Sequence, residues 1–409
     1  MPARDTFDVV IVGASIAGCS AARLFALRGA RVALVERKPD PAAYKVVCTH
    51  QIQSSAVPAI ERLGLAPLLA EAGAVRSRPA AWSPYGGWIK FPAHTPTGYG
   101  ISRRRLDPIV RRLATDTPGV EYFPGQTVVG LVGGEGDRVD GVEMESSDHE
   151  RRAIRAKLTV AADGRDSALA RFARNPARVR RHGRFVYFAY WHGVGTPKDQ
   201  ARVWMLNPDG AAVFPNEDGL TVIAAVPHKA RLGEFRPDPE AAYDRWIRAL
   251  PEGPELAGAE RVSKLIGKLE MPNRMRSAAR PGIAFIGDAA LATDPLFGVG
   301  CGWAFQSAEW LVEETAGALV DHGNLDVALD RYRRAFFRRL APHHLQIADF
   351  STARPLRLNE RLLFRAAARD PIVAAGIEEV VSRRESALRM LDLRPLPRVL
   401  WRAARPPIQ

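Results

Sequence analysis

Cysteine is scarce in this sequence, and long apolar runs are missing from it. The three cysteines, Cys19, Cys48 and Cys301, are odd in number and lack metal-ligand spacing, which argues against a disulfide framework and predicts no metal site. No uninterrupted apolar run outside the N-terminus is long enough to span a bilayer. The apolar stretch near the N-terminus lacks a basic leader and is broken by glycine, so we expect no signal peptide and a cytoplasmic location.

Acidic residues are outnumbered by basic ones, which gives the chain a formal net charge of +13. Such a charge can attract nucleic acid or an anionic membrane, but the basic residues are nearly all arginine and are spread along the chain. We therefore expect no nucleic-acid partner and interpret most of the charge as solvated surface. With 409 residues, of which 46% are hydrophobic, the chain is expected to form two packed domains or one domain with a large insertion.

The strongest motif lies at the start of the chain, in residues 8–37. An apolar run ends at Gly13, apolar residues follow at helical spacing, and a second β-branched run ends at Glu36, which predicts strand, turn, helix and strand. The turn reads GASIAG, a dinucleotide fingerprint in which Ser15 replaces the middle glycine. Gly13 permits the tight turn, Gly18 lets the helix approach the strand, and the helix N-terminus attracts a pyrophosphate.

Glu36 indicates which dinucleotide this turn would bind. A carboxylate after the second strand accepts hydrogen bonds from an adenosine ribose and repels a 2′-phosphate, so FAD or NAD is favoured over NADP at this site. The alternative interpretation is an ordinary glycine-containing turn of an α/β protein. Arg103 opens a later helix, from which its guanidinium can reach phosphate oxygens at the turn, although a solvated helix face explains the neighbouring arginines equally well.

Two later segments repeat the pattern of a strand that ends in a turn. Asp163-Gly164 follows an apolar strand, so the glycine can bring backbone near a cofactor while the aspartate anchors the turn or a ribose hydroxyl. Gly287-Asp288 ends another strand, and its aspartate can accept a hydrogen bond from a ribityl hydroxyl. The loop 295–300 then leads into a long helix whose N-terminus favours a developing negative charge, such as that of reduced flavin. Ahead of these segments, residues 120–142 predict a small antiparallel sheet.

No obligatory catalytic side chain is visible in the sequence. His50 lies in a polar loop that could pass the redox ring of a flavin, and a capped loop explains it as well. Residues 184–204 and 211–226 predict aromatic strands, whose alternate side chains pack in a core on one face and line a cavity on the other. Tyr190 and His192, with His50, are the candidates for a general base. The two faces are Phe185, Tyr187 and Trp191 on one side and Phe188, Tyr190 and His192 on the other.

The tail of the chain, residues 325–409, is predicted to be helical and rich in arginine. Its alternation of basic and apolar residues is typical of helices that pack on a cofactor domain with arginine facing water. A lid, or a helix that lies on a membrane surface, is the alternative, so peripheral membrane contact stays open.

Three pieces of the sequence occur in the same order in one group of flavoproteins: GASIAG with Glu36, ADGRDS at residues 162–167, and GDAALATDP at residues 287–295. On these motifs the chain resembles the para-hydroxybenzoate hydroxylase-like FAD-dependent monooxygenases, a family related to geranylgeranyl reductases and flavin-dependent halogenases. The sequence departs from the family pattern at Ser15. It also departs in the loop 294–300, which looks closer to reductases and halogenases than to many hydroxylases.

The resemblance implies an α/β fold with an α+β insertion: a Rossmann-like FAD-binding domain, a β-sheet substrate domain and C-terminal helices. The expected boundaries are 1–75, 100–178 and 276–325 for the FAD-binding domain, 76–99 and 179–275 for the substrate-binding domain, and 326–409 for the C-terminal helical region. Asp163-Gly164 is also expected to give a nicotinamide cofactor access to the flavin. The predicted cofactor-binding residues are Gly13, Ala14, Ser15, Ala17, Gly18, Glu36, Arg37, Arg103, Asp163, Gly164, Gly287, Asp288, Pro295, Gly298, Val299 and Gly300.

The resemblance also implies a reaction. We expect a monooxygenase in which NADH or NADPH reduces FAD, molecular oxygen forms a flavin C4a-hydroperoxide, and a bulky aromatic or apolar small molecule is hydroxylated or epoxidised. A separate flavin reductase is an alternative source of electrons. The other reactions considered are reduction of prenyl double bonds, halogenation, and redox control of a partner without turnover. Halogenation ranks lowest because residues 211–215 read AAVFP where halogenases have a Trp-x-Trp-x-Ile-Pro pattern.

Overall fold

The chain folds into three β-sheets and a set of helices, which a computed structural model describes for residues 6–89, 91–133, 137–321, 323–388 and 396–404. The strands are β1 (Thr6–Val12), β2 (Val32–Glu36), β3 (Gln51–Ile52), β4 (Val75–Ser83), β5 (Gly87–Ile89), β6 (Gly98–Gly100), β7 (Val120–Pro124), β8 (Thr127–Gly133), β9 (Val139–Glu145), β10 (Arg151–Ala161), β11 (Arg178–Arg180), β12 (Val186–His192), β13 (Gln200–Met205), β14 (Gly210–Pro215), β15 (Thr221–Val226), β16 (Glu260–Arg261), β17 (Ile266–Lys268), β18 (Asn273–Met275), β19 (Ala279–Arg280), β20 (Ile283–Phe285) and β21 (Leu291–Ala292). The α-helices are α1 (Ile16–Leu27), α2 (Val57–Arg62), α3 (Ala66–Glu71), α4 (Arg103–Thr115), α5 (Ala168–Phe172), α6 (Leu232–Phe235), α7 (Pro239–Arg248), α8 (Gly300–Val320), α9 (Leu325–Ser351), α10 (Leu358–Ala367), α11 (Pro371–Val381) and α12 (Leu396–Ala404).

The first sheet is built on parallel strands in the order β20-β10-β1-β2-β7. The apolar runs of β1 and β2 are almost wholly buried, as expected where helices cover both faces of a parallel sheet. Helix α1 packs against α4 and α8, and α8 packs against α9. Because β1, β10 and β20 are parallel neighbours, the turns that follow them open on the same edge of the sheet, where doubly wound folds bind ligands.

The prediction that residues 120–142 form a small antiparallel sheet is wrong for its first strand. β7 pairs with β2 in parallel, from Val32 opposite Val120 to Glu36 opposite Pro124. The chain reaches β7 through helix α4, and a strand that returns after a helix lies parallel to its neighbour. Only β8 and β9 form the expected antiparallel pair, which continues onto the first half of β10.

The second sheet has the order β16-β12-β15-β14-β13-β4-β6-β3, with β17 beside β12 and β5 beside β4. The predicted alternation along β12 is present. Phe185 and Trp191 lie in one apolar core with Tyr243 of α7, whereas Phe188 lies in a second cluster, against which Tyr190 packs. The Tyr190 side of β12 is therefore the side that faces away from α6 and α7.

The remaining helices pack in two places. Helix α9 buries Tyr332 and Phe336 in the core of the first sheet, while α10, α11 and α12 share a separate apolar cluster with Ile89 of β5. The third sheet, in the order β11-β18-β21, is small. In the ranges given above, no helix has both the length and the apolar character that crossing a membrane requires.

The predicted domain boundaries stay a prediction. Parts of the predicted regions lie outside the described residues: 1–5 and 134–136 in the FAD-binding domain, residue 90 in the substrate-binding domain, residue 322, and 389–395 and 405–409 in the C-terminal helical region. Strand β3, which precedes position 76, joins the second sheet through β6. Strand β3 also contacts α8, which packs on α1 beside the first sheet.

Candidate active site

The turn between β1 and α1 lies directly against the end of β10. Gly13 has a φ of +107°, and a Cβ atom there would come within 2.5 Å of the Ala162 carbonyl oxygen. A Cβ on Gly18 would lie 1.8 Å from the Gly13 oxygen, so both glycines are required by contact between backbones. No side chain caps the N-terminus of α1, where Ser15 is the N-cap residue. The first turn of the helix can therefore present N–H groups to an anion.

Glu36 and Arg103 both reach this turn. The Ala14 N–H donates to Glu36 Oε2 at 2.8 Å, so the carboxylate lies beside the start of the turn. The guanidinium of Arg103, which is buried at the start of α4, donates from Nη2 to Ser15 Oγ at 2.7 Å. It also donates from Nε and Nη2 to the two oxygens of Asp107, at 2.8 and 3.0 Å. Arg103 is thus oriented by a carboxylate one helical turn away.

Asp163 presents an unused oxygen at the end of β10. Its Oδ2 accepts from the Leu169 N–H at 3.1 Å, whereas its Oδ1 is buried and has no hydrogen-bond partner among the described residues. A buried carboxylate oxygen without a donor is costly. This atom therefore fits the hydroxyl of a bound ligand. Gly164, which follows it, has a φ of +86° and open space beside it.

The turn after β20 is the third strand end at this edge of the first sheet. A Cβ on Gly287 would lie 3.0 Å from the Ala17 Cβ of α1, so the third strand end packs on the first helix. Asp288 Oδ2 is 2.8 Å from Lys45 Nζ. Burial alone would raise the pKa of Asp288, but the Lys45 cation and other nearby cations hold it below its usual value. A Cβ on Gly300 would lie 4.0 Å from Asp288 Oδ1, which puts this carboxylate beside the N-terminus of α8.

The loop before α8 is held by a hydrogen bond within it and by one from Gln53. The Gly298 N–H donates to the Pro295 carbonyl at 2.8 Å, and Val299 is the N-cap residue of α8 without a side-chain cap. Gln53 Nε2 donates to the carbonyls of Phe297, at 2.5 Å, and Val381, at 3.1 Å. Gln53 thus bonds to the loop and, through the same amide nitrogen, to the end of α11.

His50 and Tyr190 meet where the first sheet's loops approach β12. The His50 Nε2 and Tyr190 Oη atoms are 2.6 Å apart. The Arg103 N–H donates to His50 Nδ1 at 2.8 Å, so a neutral imidazole must carry its proton on Nε2. Burial lowers the pKa of His50, which keeps it neutral, and it therefore donates to Tyr190. The backbone of His50 has a φ of +62°, a strained conformation of the kind found at functional sites.

Two other residues predicted for the site, His192 and Arg37, are exposed. His192 is exposed at the end of β12, opposite Glu260 of β16, and Arg37 is exposed just after β2. The structure brings His50 and Tyr190 together and leaves His192 in solvent.

Sequence reasoning missed several residues of the site. Cys48 Sγ and Cys301 Sγ are 3.7 Å apart, and Arg103 Nη1 is 4.0 and 3.9 Å from them. The hydrogen bond with Cys301 and the nearby cations lower the pKa of Cys48 well below its usual range. Only Asp107 had a signal in the sequence, because an Arg and an Asp four residues apart on a helix can pair. Lys45 and the two cysteines come together through tertiary contacts.

The donors and acceptors at this edge fit FAD. The open first turn of α1 and Arg103 suit a pyrophosphate, and the carboxylates of Glu36, Asp163 and Asp288 suit ribose and ribityl hydroxyls. The fold and this donor set define the class of an FAD-dependent oxidoreductase. The model of the FAD-binding domain family matches residues 6–340, so the chain belongs to that family.

Comparison with known proteins confirms the predicted resemblance and fold class. The chain is 22% identical over 356 residues to digeranylgeranylglycerophospholipid reductase of Picrophilus torridus, covering 83% of this chain and 85% of that protein. It is 27% identical over 379 residues to kynurenine 3-monooxygenase of Salinispora arenicola, covering 87% and 80%. Flavin-dependent brominase Bmp2 superposes with a TM-score of 0.77 at 18% identity, covering 92% and 94%, and this shows the fold alone. The relatives include both monooxygenases and reductases.

Proposed function

We propose that this flavoprotein is a monooxygenase that hydroxylates or epoxidises a bulky aromatic or apolar small molecule, with NADH or NADPH as electron donor and molecular oxygen as co-substrate. Residues Ser15, Glu36, Arg103, Asp163 and Asp288 would hold the FAD. When bound, FAD supplies the redox chemistry that activates oxygen. We also propose a cytoplasmic location. We propose that a nicotinamide approaches beside Asp163-Gly164, where a Cβ on Gly164 would meet nothing within 4 Å, and a separate flavin reductase is the alternative source of electrons.

The observation that carries the proposal is the hydrogen bond between His50 and Tyr190. Because His50 donates to Tyr190 Oη, the hydroxyl hydrogen of Tyr190 is left for another acceptor. Burial raises the pKa of Tyr190, so its proton is retained at neutral pH. Tyr190 can therefore donate a hydrogen bond to an oxygen on the substrate and fix its orientation. A phenol or a carbonyl compound uses such a donor, whereas an unfunctionalised prenyl chain does not.

The aromatic side chains of β12 support a flat or apolar substrate. Phe188 and Tyr190 share one face, with their rings 6.0 Å apart and nearly perpendicular, and Phe188 is buried in the cluster that lies on that side of the strand. Apolar walls with a few polar groups that fix orientation are typical of small-molecule sites. Tyr190 supplies the polar group here.

Reduction of a carbon–carbon double bond is the second candidate function. Cys301, whose Sγ lies 3.7 Å from Cys48 Sγ, provides a proton donor in the same place, because its hydrogen bond with Cys48 and its burial raise the pKa of its thiol. Addition of hydrogen to a double bond needs a hydride and a proton, and a thiol can supply the proton. The likeness of the loop 294–300 to reductases also favours this reaction.

Product mass separates the two functions. Purified protein with FAD, NADH or NADPH and oxygen is incubated with phenolic, quinone and prenyl compounds, with and without a metal chelator. A product that gains one oxygen atom, at a rate that the chelator does not change, supports the proposal. A product that gains two hydrogen atoms supports the reductase, and NAD(P)H oxidation that no compound accelerates or couples to product contradicts both.

A variant of Tyr190 tests the observation itself. Tyr190→Phe removes the hydroxyl but keeps the ring, and we expect kcat/KM for an oxygen-bearing substrate to fall about 10- to 100-fold, the value of one buried hydrogen bond in a binding site. Tyr187→Phe is the matched control, because Tyr187 lies on the other face of β12 and stacks on Phe235. Equal kinetics in both variants would remove Tyr190 from the substrate site.

A further inference from the structure

The side chain of Arg383, just after helix α11, is buried, and three of its five N–H donors, on Nε and Nη2, have no partner among the described residues. Its exposed fraction is 8%. Nη1 donates to the Val380 carbonyl at 2.7 Å and lies 3.3 Å from Gln346 Oε1 and from His343 Nδ1. Nε and Nη2 are buried and have no hydrogen-bond partner among the described residues. A buried cation with unmet donors is costly unless something pairs with it.

The groups around Arg383 do not neutralise its charge. The guanidinium lies 5.0 Å from the centre of the Phe297 ring, and its other contacts are a carbonyl, an amide and an imidazole. Burial and the nearby Arg383 cation lower the pKa of His343 to about 3, so that imidazole is neutral. The pKa of Arg383 itself is lowered by burial to about 9, as expected for a cation that pairs with no carboxylate of the described residues. Glu378, on the same helix, pairs with Arg384 instead.

The geometry of the two unpaired nitrogens is specific. In a guanidinium, the Nε–H and one Nη2–H lie parallel on one edge, at the spacing of two oxygens of a carboxylate or a phosphate. Nη1, on the far side, is the nitrogen that the protein already uses. Arg383 therefore presents a complete two-donor edge rather than a single leftover N–H.

Arg383 lies beside the loop before α8, which belongs to the candidate active site. Phe297 belongs to the loop before α8, and Gln53 joins the Phe297 carbonyl to that of Val381, two residues before Arg383. The guanidinium thus lies one side chain behind the loop predicted to adjoin the isoalloxazine. His50, three residues before Gln53, carries the Tyr190 hydrogen bond.

We propose that Arg383 is a binding residue for an oxyanion, a carboxylate or phosphate group that its Nε–H and Nη2–H hold through two parallel hydrogen bonds. That this group belongs to the substrate rests on the proposed function, and the substrate is then an acidic aromatic or apolar compound. Carboxylate and phosphate share the chemistry of recognition, and the experiment below separates them.

The test measures binding of sodium benzoate and of inorganic phosphate to the full-length protein by calorimetry, with sodium chloride added to keep ionic strength constant. We expect the wild type to bind one of the two, and Arg383→Met to bind it about 10- to 100-fold more weakly, the range for a charge-assisted pair of hydrogen bonds. Without either anion, Arg383→Met should melt no lower than the wild type, because an unpaired buried charge is removed. Arg365→Met, which changes an exposed arginine of α10, is the control and should bind as the wild type.

Two further readouts make each outcome decisive. Arg383→Lys keeps a charge but loses the parallel edge, so it should also bind weakly, and it replaces Arg383→Met if that variant does not fold. Benzoate binding without phosphate binding assigns a carboxylate, and the reverse assigns a phosphate. FAD content, read from visible absorbance, is measured in every sample. If the protein holds FAD but binds neither anion, or if the Arg383 variants bind an anion as well as the wild type does, this inference alone is overturned. If the protein cannot hold FAD but binds an anion in a way that depends on Arg383, the proposed function is overturned and the anion site remains.

Discussion

Replacing Arg103 should lower both the stability of the fold and the affinity for FAD. A second substitution, at Asp107, should restore the stability but not the affinity. Arg103 and Asp107 form a buried ion pair whose side chains are 4% and 1% exposed. Arg103→Met leaves the Asp107 carboxylate buried without its cation, which costs about 3–5 kcal/mol. At about 2.1 cal/mol/K of unfolding entropy per residue, a chain of 409 residues loses about 4–6 °C in Tm.

The double variant Arg103→Met/Asp107→Leu removes both charges. Most of the lost stability should return, since an apolar pair can replace a buried ion pair at little cost. About 1 kcal/mol should remain lost, because the Lys45 N–H donates to Asp107 Oδ2 at 2.9 Å and would have no acceptor. FAD affinity should not return, because Arg103 is the cation that reaches Ser15 at the nucleotide turn. We expect it to stay about 10- to 100-fold below the wild type.

The assays are thermal melting of the protein without FAD and titration of FAD by fluorescence quenching. Arg112→Met, an exposed arginine on the same helix, is the control and should change neither property. If the double variant binds FAD as tightly as the wild type, Arg103 only stabilises the fold and has no part in binding the cofactor. If the single variant melts as the wild type does, the buried pair has no energetic importance.

Two other predictions concern Glu36 and Cys48. Glu36→Arg should lose most bound FAD, because the carboxylate that accepts from the Ala14 N–H would become a cation. Glu36→Gln keeps an acceptor and should lose less. Equal flavin content in the wild type and both variants would exclude Glu36 from the ribose site. Iodoacetamide at pH 7 should alkylate Cys48 before Cys19, because the Cys48 pKa is lowered by its hydrogen bond with Cys301 and by nearby cations, whereas burial raises the pKa of Cys19. Since a thiol with a lowered pKa stays ionised as pH falls, the Cys48 rate should drop less between pH 9 and pH 7 than that of an ordinary thiol; peptide mapping by mass spectrometry that finds Cys19 modified first would contradict this.

The sequence predicts the first sheet well because its signals are local. The GASIAG turn, the apolar runs beside it and the glycine-containing strand ends each lie within a few residues, and a parallel sheet then brings their carboxyl ends to one edge. The position of Arg103 at the start of a helix also follows from local pattern, and that helix then packs on α1. The parallel direction of β7 was missed because it depends on the crossover through α4 rather than on the residues of the strand.

The residues proposed to act on the substrate come together through contacts that sequence spacing does not encode. His50 and Tyr190 are 140 positions apart, and Cys48 and Cys301 are 253 positions apart. Each of these residues has an ordinary local sequence context, and tertiary contacts bring the pairs together, since Tyr190 lies on β12 and Cys301 lies on α8. Arg383 is one arginine among many in the tail, and its importance lies in its burial and unmet donors, which are properties of the folded chain.

The most direct test of the FAD site is the visible absorption spectrum of the purified protein after incubation with FAD and removal of free flavin. We expect a yellow protein with flavin bands, because the ends of β1, β10 and β20 together offer one FAD site. A folded protein that stays colourless would contradict it, since Glu36, Asp163 and Asp288 would then lie together without holding a flavin.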